Sequence, residues 1–101
     1  TNEEEMAAAA NRIAENHGGI TVMQDGTVLG EVPLAIAGIM SDDSLVMVNS
    51  ALESAKDEAL RLGVSQDIDP FMTLSFMALP VIPTLRITTR GVFDVNTQRY
   101  I

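Results

Sequence analysis

Residues 69–83, DPFMTLSFMALPVIP, set the tightest limit on how this chain folds. No charge follows Asp69 in the stretch, which holds two of the chain's three phenylalanines, two of its six methionines and three of its four prolines. Taken alternately, Met72, Leu74, Phe76 and Ala78 form an apolar row, and Phe71, Thr73, Ser75 and Met77 a mixed one. That period of two predicts a strand covered on both faces. Asp69-Pro70 also reads as a helix N-cap followed by a first-turn proline, so a helix over the same residues is the rival assignment. Pro80 and Pro83 bar further regular structure, because each lacks an N–H and disfavours helix in the residue before it. A segment this apolar forms either the centre of the domain or a face turned toward another one.

A length of 101 residues suffices for a single domain with one core. Aromatics make up only 4% of the chain, so Leu, Ile, Val, Met and Ala must fill the interior. The net charge of −8 is unevenly placed: residues 1–69 carry thirteen acids against three bases, and residues 70–101 one acid against three arginines. An acidic surface repels phosphate backbones, which argues against nucleic-acid binding. The absence of cysteine excludes a disulfide framework and a thiolate metal site. No apolar run reaches the roughly 18 residues of a membrane span, and no signal-peptide pattern opens the chain. The expectation is a cytoplasmic protein without membrane contact. The sequence opens TNEEEM, without an initiator methionine, which suggests a piece of a longer polypeptide.

Residues 2–17 read as a helix capped by Thr1 or Asn2, with Glu3, Glu4 and Glu5 in the first turn where the helix dipole favours acids. Met6, Ala10, Ile13, Ala14 and His17 fall on one predicted face, and Gly18-Gly19 ends the helix. Next comes a hairpin: residues 20–24 and 27–31 flank Asp25-Gly26, the dipeptide of a type I′ turn. A two-residue loop pairs Met23 with Val28 and Val22 with Leu29, and Gly30 signals a bulge or a close backbone approach. Residues 32–40 read as a crossing loop with one helical turn. Ser41-Asp42-Asp43 then predicts a helix start, followed by a stripe of Leu45, Val48, Leu52, Ala55, Ala59 and Leu62. Glu53–Lys56 and Asp57–Arg61 are spaced to pair along its outer surface. After the apolar stretch, residues 85–88 and 92–95 flank the turn Thr89-Arg90-Gly91, and residues 96–101 have room for one short strand. The order predicts an α+β fold, a two-layer sandwich with a mostly antiparallel sheet and both main helices on one face.

Catalytic constellations are missing. There is no nucleophile elbow, phosphate-binding loop, dinucleotide fingerprint or H-E-x-x-H. A serine triad would have to use His17, the one histidine, at a helix end among alanines, where an imidazole near free carbonyls is the simpler role. Asp42-Asp43 reads as a pair of helix-dipole partners before it reads as a ligand pair. No catalytic, cofactor-binding or metal-binding residue is assigned.

Four runs carry a resemblance: NRIAENHGGITVMQDGTVLGEVPL at 11–34, PLAIAGIMSD at 33–42, DPFMTLSFMALPVIP at 69–83 and LRITTRGVFDV at 85–95. Over nearly its whole length the chain resembles the C-terminal domain of bacterial adenine deaminases. Those enzymes belong to the amidohydrolase superfamily and hydrolyse adenine to hypoxanthine and ammonia. The resemblance implies a preceding catalytic barrel that holds the metal, manganese or iron, and none of the ligands here. It makes that barrel the partner, with self-association into a homo-oligomer as a further option. A free-standing small-molecule-binding or self-association module is the alternative. Candidate surface residues toward the barrel or its pocket edge are Ser41, Phe71, Ser75, Met77, Pro80 and Pro83, leaving the Met72, Leu74, Phe76 row for this domain's own core.

The hairpin reading is directly testable. Gly26→Val should lower stability by about 1–3 kcal/mol, because a β-branched residue resists the positive φ of a type I′ turn. The urea midpoint of the variant measures it, and Asp25→Ala should be milder.

Overall fold

The computed structural model describes residues 1–101 and divides the chain into two compact units, Thr1–Gln66 and Asp67–Ile101. The class is α+β, with three helices and two separate antiparallel sheets. The single sheet expected from the strand order is thus two: a hairpin in the first unit and a three-stranded meander in the second.

In the first unit, α1 (Glu3–Glu15) begins at Asn2, whose side-chain oxygen accepts the Glu5 N–H at 2.8 Å. It closes with the Gly18 N–H on the Ile13 carbonyl (2.9 Å) and the His17 N–H on the Ala14 carbonyl (3.1 Å). This is the Schellman pattern, and the left-handed residue in it is His17 (φ 61°), one position before the glycines expected to take that role. The side chains of α1 that are half-buried are Glu5, Ala8, Ala9, Arg12, Ile13 and Asn16. Their spacing is helical, but only Ile13 belongs to the apolar face predicted from the sequence. Polar residues take the covered positions because they find partners there.

Strands β1 (Gly19–Gln24) and β2 (Thr27–Pro33) form the expected hairpin, and Asp25 and Gly26 both take positive φ (50° and 73°). Met23 pairs with Val28 as the turn dictates, but Val22 pairs with Gly30 rather than Leu29. Leu29 is the extra residue of a β-bulge, which shifts every later side chain of β2 to the other face. Val22, Gly30 and Val32 then share one side and are buried. Residues 36–40 form a tight turn instead of a helical one: Ala37 and Gly38 take positive φ, and Ile36 and Met40 exchange backbone hydrogen bonds at 2.9 and 3.1 Å.

Helix α2 (Leu45–Arg61) starts three residues later than predicted, at Ser44, so Asp42 and Asp43 precede it and its first turn holds no acid. The predicted stripe is buried at its centre, Ala55 and Ala59, and half-buried at Val48 and Leu52, while Leu45 and Leu62 at its ends are exposed. Lys56 pairs with Glu53 at 3.8 Å, and Arg61 with Glu58 at 2.8 Å instead of Asp57. A Cβ on Gly30 would lie 2.7 Å from the Ala55 Cα, so α2 packs directly on that side of β2. Glu31, which the pleat turns the other way, is reached by Arg12 and Asn16 of α1. The two helices therefore cover opposite faces of the hairpin, not one face as expected.

The second unit opens with α3 (Pro70–Met77), which overturns the strand predicted for these residues. The Asp69 carboxylate accepts the N–H groups of Phe71 (3.1 Å) and Met72 (2.9 Å), and Pro70 occupies the first turn, where its missing N–H costs nothing. Local capping outweighs the alternation, and none of the strands in the unit pairs with these residues. Then β3 (Leu85–Thr88), β4 (Gly91–Asp94) and β5 (Arg99–Tyr100) form the meander in that order. The last turn is tied by Asp94, whose carboxylate accepts the N–H groups of Asn96 (2.8 Å) and Thr97 (3.2 Å).

Gly30 is the position to test. Gly30→Ala would push its methyl into the backbone of α2, and overpacking of this kind costs about 1–3 kcal/mol. Chemical denaturation should give a larger loss for Gly30→Ala than for Thr27→Ala on the same strand, which is exposed.

Candidate functional site

The polar centre of the first unit lies between α1 and β2. Arg12 meets Glu31 in a two-pronged contact, Nε to Oε1 at 2.8 Å and Nη2 to Oε2 at 3.0 Å, and the Asn16 amide donates to Oε1 at 2.6 Å. The Arg12 guanidinium holds the Glu31 carboxyl below the usual glutamate range; partial burial opposes this and Asn16 reinforces it. Glu31 in turn raises the Arg12 pKa, with Glu15 adding a smaller contribution. At the other end of the helix, Glu5 accepts the Asp25 N–H at 2.7 Å and fixes the hairpin turn. Glu5, Arg12 and Asn16 are seven and four residues apart, a helical spacing legible in the sequence had polar side chains been admitted to the covered face. These bonds fasten α1 to the hairpin.

The six residues singled out from the sequence fall in both units. Ser41, in the first, accepts the Asp43 N–H at 3.1 Å and tightens the loop before α2. Phe71, Ser75 and Met77 lie on α3, and Pro80 and Pro83 follow it. The Ser75 hydroxyl donates to the Met72 carbonyl at 2.8 Å, so it is occupied within its own helix. Phe71 is half-buried, whereas Met77, Pro80 and Pro83 are exposed. The Met72, Leu74, Phe76 row assigned to the core is also exposed, Leu74 at 64%. On a helix those residues do not form a row, since each step of two turns the side chain by about 200°. Instead α3 is apolar on all sides, a pattern suited to a helix covered by other protein.

The meander adds a surface the sequence reading passed over. Leu85 and Ile87 alternate with Arg86 and Thr88, and both are exposed, as are Val92 and Ile101. Across the sheet, Phe93 and Tyr100 meet edge to face at 5.1 Å.

No group of three or more His, Cys, Asp or Glu side chains is placed to hold a metal ion. His17, at the turn after α1, is exposed. The chain supplies no ligand set for manganese or iron. No helix is long and apolar enough to cross a membrane.

These features define a small α+β module in which one polar cluster holds a helix to a hairpin and most of the large apolar groups are exposed. The chain belongs to the adenine deaminase C-terminal domain family, whose model matches residues 1–99. It is 46% identical over its full length to the adenine deaminase of Bacillus subtilis (strain 168), of which it covers 18%. It is 48% identical over 95 residues to adenine deaminase 2 of Carboxydothermus hydrogenoformans, covering 94% of this chain and 17% of that protein. The adenine deaminase of Brucella anthropi is 46% identical over the whole chain, again with 18% of its own length matched. The chain thus spans less than a fifth of these curated relatives.

The Glu31 contact has a pH signature. A carboxyl with a depressed folded pKa contributes stability in full above its ordinary value, and loses it as pH falls through the folded one. Glu31→Gln should therefore cost about 1–2 kcal/mol at pH 7, with the gap to wild type closing as the solution is acidified below the ordinary glutamate range. Urea unfolding at neutral and acid pH reads both quantities.

Proposed function

We propose that this chain is the accessory C-terminal domain of an adenine deaminase, with the catalysis carried by the rest of that polypeptide. The family match over residues 1–99, against relatives of which the chain forms under a fifth, carries the reading. The reaction is hydrolysis of adenine to hypoxanthine and ammonia, in a cytoplasmic enzyme whose manganese or iron lies in a catalytic barrel. The domain docks on that barrel through Phe71, Met77, Pro80 and Pro83. Helix α3 supports this role: eight residues are too few to span a bilayer, and its apolar surface calls for cover by protein.

Two measurements test the proposal. The purified 101-residue chain should release no ammonia from adenine above a heat-treated control, while the full-length polypeptide does. Met77, 62% exposed, should tolerate Met77→Glu in the isolated chain within about 0.5 kcal/mol. In the full-length protein the same change buries an unpaired charge, and should lower stability by about 2 kcal/mol or more, together with turnover. A large loss of stability in the isolated chain would instead make Met77 part of this domain's own core and defeat the docking assignment.

A further inference from the structure

The two faces of the meander carry different side chains. In its register Leu85 faces Asp94, Ile87 faces Val92, Arg86 faces Phe93, and Phe93 faces Tyr100. Ile101 continues the pairing, donating its N–H to the Val92 carbonyl at 3.0 Å. Directly opposed residues share a side of the sheet and alternate residues return to it. Arg86, Phe93 and Tyr100 therefore lie on one side. Leu85, Ile87, Val92 and Ile101 lie on the other together with Asp94 and Arg99, and there Ile87, Val92 and Ile101 cross all three strands in a line. The first side is built: Phe93 packs on Tyr100, and the Arg86 guanidinium donates to the carbonyls of Leu85 (2.7 Å) and Pro83 (3.1 Å). The second is bare: Ile87 is 87% and Ile101 82% exposed. Isoleucine has high strand propensity because it packs well on a half-buried pleated surface, and here nothing packs on it.

We infer that this face of the meander, Leu85, Ile87, Val92 and Ile101, is a second docking surface, covered in the full-length polypeptide by an apolar patch of its catalytic part. The inference rests on the accessory-domain reading and adds a surface separate from α3 and the prolines after it. One observation selects the occupant, and it is length: more than four fifths of the Bacillus subtilis relative lies outside the region this chain matches, which supplies ample protein to cover the face. Asp94 and Arg99 stand in facing positions toward one end of it, an acid beside a base, so charge does not separate that cover from a second copy, and dilution does.

Introduced cysteines report on this, since these 101 residues contain none and the labelling of the unsubstituted polypeptide gives the background. Ile87→Cys, Val92→Cys and Arg90→Cys are made in the full-length polypeptide, and each increment in maleimide labelling is followed under native conditions and in urea. With the face covered, the Ile87→Cys and Val92→Cys proteins label at least tenfold more slowly than Arg90→Cys in the native state, and equally fast in urea. Native labelling of the first two as fast as that of Arg90→Cys overturns the inference. So does protection that disappears on dilution to the monomer, because the cover is then a second copy. Should either apolar-face variant fail to fold by circular dichroism, Ile101→Cys takes its place. Ammonia release from adenine by the same preparations separates the two readings. Deamination with freely reactive cysteines retains the accessory-domain role and removes this surface. Protected cysteines without deamination retain the surface and remove the assigned activity.

Discussion

The first unit depends on how closely α2 can approach the hairpin. A two-stranded hairpin is marginal on its own and has two faces to cover. On the side of Val22, Gly30 and Val32 the covering helix presents Ala55 and Ala59, and Gly30 leaves the space a Cβ would fill against Ala55. Small residues on both elements bring the backbones together, which buries the two valines with little side-chain volume. The other side is held differently. There α1 grips the hairpin through the Arg12–Glu31–Asn16 cluster and the bond from Asp25 to Glu5, at points where an apolar stripe would ordinarily sit. Charge-assisted bonds are directional, so they fix the position of α1 where its alanines alone would let it slide.

What was legible in the sequence followed from local chemistry. Asp25-Gly26 specified its turn, Asn2 and the glutamates specified a helix start, and the Val48–Ala59 stripe specified the face α2 buries. The errors arose where two local signals competed or where a partner decided. Alternation in residues 71–78 argued for a strand, but Asp69 and Pro70 together form a complete helix start, and a cap needs no neighbour while a strand does. The bulge at Leu29 could be read only as a hint at Gly30, because the fit of α2 decides which residue is squeezed out. Ser41-Asp42-Asp43 looked like a helix start, yet Ser44 caps α2; either serine satisfies the same rule. Of the six candidate surface residues, the structure leaves Met77, Pro80 and Pro83 exposed, half-buries Phe71 and Ser41, and engages both serine oxygens with backbone.

The distribution of side-chain sizes carries the argument from fold to role. The buried apolar residues are Val22, Val32, Ala55, Ala59 and Val95, none larger than valine. The phenylalanines, leucines, isoleucines and methionines, whose burial contributes most, all retain some exposure. A domain that must stand alone does the reverse, placing its largest apolar groups where they lose most water. Here small residues set the spacing of helices and strands, tight turns and caps hold the elements in shape, and the large groups of α3 and the meander face outward. Such a chain resembles half of an interface more than a self-sufficient core. The Arg12–Glu31–Asn16 cluster holds a helix to a hairpin and Asp94 holds one turn to a sheet, while what α3 and the meander expose is mostly apolar area, the kind of surface suited to contact with protein.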